Sequence, residues 1–127
     1  MDGKFNILTL PISPSVNHYW LASGHRRFLS PAAKKFRYDV GQRVHEYLLL
    51  NSPKFPFLGR LEMKVDIFPA NKRSFDIDNK MKGIGDSLAH AGVYLDDSQI
   101  DRLIITRREL DKPNGRVEII ITEILED

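Results

Sequence analysis

An α+β fold is what this chain predicts: a small mixed sheet of about four strands carrying two main helices. Three observations carry that reading. Residues 61–68 alternate Leu61, Met63, Val65 and Ile67 with Glu62, Lys64 and Asp66, the pattern of a strand with one buried face. Ser30-Pro31 pairs a capping serine with a proline at the first helical position, and Phe36, Val40, Val44, Tyr47 and Leu48 then form an apolar stripe. Helical and extended patterns do not repeat as βαβ units, which favours α+β order over a doubly wound sheet.

Taken in order, residues 5–10 (Phe5 to Leu10) read as a strand, ended by Pro11, Ser13 and Pro14. Residues 15–29 read as a loop, including Gly24-His25-Arg26-Arg27. The first helix should run from Ser30-Pro31 to about Leu50. Pro53, Pro56 and Gly59 mark residues 51–60 as a connection. After the alternating strand, residues 69–74 form a polar, basic loop. A second helix is expected from near Asp78 to near Ala91, with Gly92 as its stop and Met81, Ile84, Leu88 and Ala91 facing the sheet. Val93-Tyr94-Leu95 is a short apolar piece. Residues 99–108 and 116–124 read as two strands, joined through Asp111-Lys112-Pro113-Asn114-Gly115 as a hairpin turn.

A chain of 127 residues is expected to form one domain, residues 1–127, with a core that needs no covalent staples. There are no cysteines, which excludes disulfides and zinc-thiolate sites and is compatible with a reducing cytoplasm. No run of about 18 apolar residues is present, so no membrane-spanning helix is expected. Met1-Asp2-Gly3-Lys4 does not open like a signal peptide. Net charge is +2, but unevenly spread: residues 18–45 hold six Lys or Arg and one acid, and residues 96–127 hold nine acids and five bases. Such asymmetry suits a surface facing nucleic acid, and equally a solvated helix face.

The chemistry concentrates in three carboxylates. Asp76 and Asp78 are two apart, so an extended backbone would point both to one side. Asp78, Lys82 and Asp86 would share one helix face, and Asp96-Asp97 would return to the same place if the chain doubles back after the helix. Oxygen ligands of this kind suit magnesium, with manganese as a substitute, and a bound cation can activate water against a phosphodiester. Lys82 can offset charge developing on the phosphate, or simply pair with Asp78 or Asp86. Asp78 can equally be a helix cap and Asp96-Asp97 a turn. Lys72, Arg73, Arg26, Arg27, Lys34 and Lys35 are candidate phosphate contacts. Tyr19 and Trp20, beside Asn17 and His18, can stack on bases, although a packed aromatic anchor is the stronger reading. Gly83-Ile84-Gly85 lacks the rest of a dinucleotide fingerprint, and the four histidines have no zinc spacing.

Asp76-Ile77-Asp78-Asn79-Lys80-Met81-Lys82, followed by Leu95-Asp96-Asp97-Ser98-Gln99, resembles the signature of the RusA family of Holliday-junction resolvases. So do the proline-rich entry Leu10-Pro11-Ile12-Ser13-Pro14-Ser15-Val16-Asn17 and the ending Val117 to Glu123. The resemblance implies a RusA-like fold and a homodimer that cuts four-way junction DNA with magnesium, in recombination and repair. It places metal binding and catalysis on Asp76, Asp78 and Asp97, catalytic support on Lys82, and favours Asp97 over Asp96. It adds Asn17, Asn79 and Lys80 to the DNA-facing candidates. A bacterial or prophage source and a cytoplasmic setting follow from it. Two departures stand out. Phe75 occupies a position that is usually basic, and Gly83 and Gly85 interrupt a helix at up to about 1 kcal/mol each against alanine. Two competing readings remain: a non-catalytic branched-DNA binding protein of phage origin, and a structural or partner-binding phage protein with an incidental charge pattern.

Overall fold

The computed structural model describes residues 6–125. Strand β1 (Asn6–Leu10) leads into a one-turn helix α1 (Val16–Tyr19) and a hairpin of β2 (Trp20–Ser23) and β3 (Arg26–Leu29). Helix α2 (Pro31–Asn51) and strand β4 (Leu61–Phe68) follow. A 3-10 turn (Ile77–Lys80) runs into helix α3 (Met81–His90), a second 3-10 turn (Asp97–Gln99) into β5 (Ile100–Arg107), and β6 (Arg116–Glu123) closes the order. The expected start of the first strand at Phe5 lies outside the described residues.

Among the described residues the main sheet has the order β1-β6-β4-β5. β4 is its spine, antiparallel to β6 along its whole length and parallel to β5. Leu61, Met63, Val65 and Ile67 of β4 are fully buried, as are Val117, Ile119 and Ile121 of β6. The register sets Met63 against Ile121 and Val65 against Ile119, so one apolar face is continuous across the two strands. Phe36, Val40 and Val44 of α2, with Ile84 and Leu88 of α3, are buried in the same core. Ser30 caps α2 as its sequence suggests: its hydroxyl accepts the Ala33 N–H at 3.0 Å and donates to the His18 carbonyl at 2.6 Å. Leu48 is 38% exposed and drops out of the expected stripe. No helix among the described residues is long and apolar enough to cross a membrane.

Two expectations are corrected. Residues 15–29 are not a loop. Gly24, at φ +63°, opens a two-residue hairpin loop, and Trp20↔Leu29 through Ser23↔Arg26 pair across it. The four-residue strands and their polar tip concealed that pattern. The segment around residues 111–115 is also no hairpin turn, because β4 stands between β5 and β6. The chain instead crosses the end of β4: Arg108 N–H bonds to the Ile67 carbonyl and Asp111 N–H to the Pro69 carbonyl, both at 2.8 Å. Gly115, at φ +71°, passes so close that a Cβ there would lie 2.8 Å from the Ala70 nitrogen, the Phe68 carbonyl and Ile12.

Candidate active site

The parallel β4–β5 pair needs a crossover, and that crossover carries the acids. Its basic loop is ordered by Asn71, whose side chain accepts the Arg73 N–H at 2.9 Å. Asp76 is extended (φ −83°, ψ 130°), and its carbonyl accepts the Asn79 N–H at 3.1 Å. The chain then tightens into the 3-10 turn, so Asp78 lies on a turn and the alternation argument for a shared side stops at Ile77. Asp76 occupies the cap position without using its carboxylate, and Asp76 and Asp78 are both exposed. Asp78 does not cap α3, whose cap residue is Lys80.

The expected Asp78-Lys82-Asp86 stripe does not form. The 3-10 turn shifts Asp78 out of register with α3, and Asp86 turns inward. Its Oδ2 accepts Arg37 at 2.6 and 3.1 Å and the Tyr19 hydroxyl at 2.8 Å. Tyr19 is fully buried and 3.0 Å from the Ser87 hydroxyl, and burial pushes its phenol above the ordinary tyrosine range. This is the packed aromatic anchor. Gly83 makes it possible: a Cβ there would collide with the Ser13 hydroxyl and lie 2.9 Å from the Tyr19 ring.

Asp96 and Asp97 differ in kind. Asp96 accepts the Ser98 N–H at 3.1 Å while the Gln99 side chain accepts the N–H groups of Leu95 at 2.7 Å and Asp96 at 3.0 Å, a reciprocal capping box. Buried Gln99 also donates to the Phe57 and Gly59 carbonyls, each at 2.9 Å, which locks the turn to the body. The Ser98 hydrogen bond holds Asp96 below the ordinary carboxylate range. Asp97 is left over. No hydrogen bond or ion pair engages its carboxylate, or those of Asp76 and Asp78, among the described residues. Together with Lys82, Gly85, Met81, Ile100 and Leu103 it lines a hollow of about 310 Å³ between α3 and β5. A Cβ on Gly85 would sit 3.5 Å from the Asp97 carboxylate, so the glycine leaves room beside that acid. Below it, the buried Tyr94 hydroxyl donates to the Gly85 carbonyl at 2.7 Å; burial, then the Asp97, Asp86 and Asp96 charges, keep that phenol protonated.

Residues 10–122 match the model of the family described as endodeoxyribonuclease RusA. The chain belongs to the RusA family. It is 38% identical over 115 residues to the crossover junction endodeoxyribonuclease RusA of Enterobacteria phage HK97, covering 91% of this chain and 92% of that relative. It is 28% identical over 117 residues to the proteins of the same name from Escherichia coli K12 and Enterobacteria phage 82, covering 92% of this chain and 93% of each.

In this RusA-family chain the remaining candidates occupy several elements. Lys72 and Arg73 are exposed on the crossover loop; Lys80 is half-buried over the Phe75 ring, and desolvation lowers its pKa. Asn79 is half-buried in the 3-10 turn. Arg26 and Arg27 lie on β3, with the Arg27 guanidinium 5.0 Å from the Trp20 ring centre. Lys34 is exposed on α2, whereas Lys35 is paired with Asp39 at 2.8 Å. The side chain of Asn17 lies outside the described residues. The carboxylates are suitable donors for a hard divalent cation. Yet among the described residues no group of three or more His, Asp or Glu side chains stands close enough to hold a metal ion. The expected convergence of Asp76, Asp78 and Asp97 is thus not displayed by the chain alone. Sequence reasoning did not place Gly85 and Tyr94 beside Asp97. Only the glycine left a signal, as an interruption in a helix.

Proposed function

We propose that residues 1–127 form a single magnesium-dependent endonuclease domain that resolves Holliday junctions by paired symmetric nicks, in DNA recombination and repair. The family and the names of its phage and enterobacterial relatives support the junction as substrate. The observation that carries the reading to particular residues is the split between the adjacent acids: Asp96 is spent on a cap, and Asp97 faces a hollow shared with Lys82.

Asp76, Asp78 and Asp97 would hold magnesium, or manganese in its place. When bound, the cation supplies a Lewis acid and a water of lowered pKa. Lys82 meets a phosphate entering the hollow and offsets its charge as the P–O bond breaks. Gly85 leaves space for that phosphate next to Asp97. Lys72, Arg73, Lys80 and Asn79 position the strand beside Asp76, and Arg26, Arg27, Lys34, Lys35 and Asn17 contact further phosphates without reading sequence. A homodimer presents two such sites to a two-fold junction, which accounts for paired nicks. The setting is the cytoplasm of a bacterial or phage-infected cell.

The test is a synthetic four-way junction incubated with the protein and magnesium. Paired nicks are expected, abolished by chelation and by Asp76→Asn or Asp78→Asn. Equal cutting by wild type and Asp78→Asn would remove that acid from the site. The spacing of the acids in the single chain favours one rival, a branched-DNA binding protein without catalysis. That rival predicts a gel shift on junctions and no product with magnesium or manganese.

A further inference from the structure

We propose that Arg107 and Lys80, gathered on the ring of Phe75, form a phosphate clamp next to Asp76, with Arg107 a substrate-contacting residue. The idea rests on the reading of the chain as a DNA-cutting protein. Phe75 is the residue immediately before Asp76. The Arg107 guanidinium lies 4.5 Å from its ring centre and the Lys80 ammonium 5.4 Å. Arg107 also donates to the Phe75 carbonyl at 2.5 Å. The end of β5 is thereby tied to the segment that presents the first aspartate.

The charges there are unbalanced. Arg108, the next residue, is held by Asp66 at 3.1 Å and Glu109 at 3.5 Å. Arg107, Lys80, Lys72 and Arg73 have no carboxylate partner among the described residues. A guanidinium has five donors, and the Phe75 carbonyl accounts for one of them. Lys80 is half-buried, with its ammonium over the Phe75 ring and no carboxylate paired to it among the described residues. Two hollows flank the loop, of about 230 and 370 Å³; Lys80 lines the first, Arg107 the second, and Phe75 and Arg73 both. Their shared chemistry, several cations around one apolar ring, suits a chain of phosphodiesters. An aromatic residue at position 75 therefore does not leave Asp76 without cations; it seats two of them.

The test measures binding of a four-way junction and of duplex DNA, without divalent metal, across a salt series. Arg107→Gln keeps a donor for the Phe75 carbonyl and removes the charge, and it should weaken binding while reducing the salt slope by about one. Arg107→Lys should keep the wild-type slope. Phe75→Leu should weaken binding, and adding Arg107→Gln to it should cost little more, because seat and seated group act together. Arg107→Gln with wild-type affinity and slope overturns the clamp and leaves Arg107 a tether. If the wild type neither prefers junctions nor cuts them, the junction reading fails. A reduced slope on duplex DNA would still support the clamp.

Discussion

The two flanks of helix α3 carry similar residues to opposite ends. On the inner flank Gly83, Asp86 and Ser87 meet Ser13, Tyr19 and Arg37, and each polar side chain has a protein partner at hydrogen-bond distance. On the outer flank Lys82 and Gly85 meet Asp97 across an open hollow, and neither charge has a bonded partner among the described residues. A fold gains from satisfying its charges. Lys82 and Asp97 are both exposed, so the fold does not depend on pairing them.

On the helix itself, the outer flank is tested at Lys82. Lys82→Ala should lower junction cleavage by about a hundredfold, the scale of one lost electrostatic contact in the transition state, with an unchanged denaturation midpoint. A loss of stability instead would move Lys82 to the structural flank. Asp86→Asn should do the reverse. It leaves Arg37, whose side chain is 21% exposed, without its counter-charge, and should cost about 2 kcal/mol, between the values for surface and buried pairs. Denaturant titration reads the loss, and cleavage measured well below the midpoint should persist.

The two glycines of α3 differ in the same way. Gly83→Ala pushes a methyl into the Tyr19 ring and should destabilise by about 1–3 kcal/mol, as overpacking does. Gly85→Ala meets only ordinary contacts and replaces a helix glycine, so stability should hold or rise while cleavage falls. Equal melting of the two variants would contradict the assignment of flanks. The smallest effect is on pH dependence. Asp96 has a folded pKa below its unfolded one, so its contribution is complete above the ordinary carboxylate range and is lost as pH falls through the depressed value. Wild type should therefore lose slightly more stability than Asp96→Ala between neutral and strongly acid pH, read as the difference in denaturation midpoints.

Much of the scaffold was legible. The alternation of residues 61–68 marks β4 without error, the Ser30-Pro31 start of α2 holds to the hydrogen bond, and Gly92, at φ +89°, follows α3 as its stop signal. These features are local, and their causes lie within a few residues. The partner that β5 and β6 share, β4, was not legible, because strand order depends on which strand becomes the spine. The inward turn of Asp86 depends on Arg37, 49 positions away, and on a 3-10 turn that shifts the register of the stripe. At Asp96-Asp97 the turn reading applies to the first residue, which caps the 3-10 turn, and the second is left exposed beside it. Phe75 looked like a loss of positive charge, because a ring that collects cations from position 80 and from another strand leaves no trace in spacing.

The fold consumes Asp96 in a cap, and the proposed chemistry falls to Asp97. Cleavage of one synthetic four-way junction by Asp96→Asn and Asp97→Asn, side by side with magnesium, tests it directly. Asparagine caps as well as aspartate, so Asp96→Asn should cut within a few-fold of wild type. Asp97→Asn should melt like wild type and cut at least about a thousandfold more slowly, as expected when a metal-supporting carboxylate is lost. Comparable cutting by the two variants, or loss confined to Asp96→Asn, would remove Asp97 from the catalytic site.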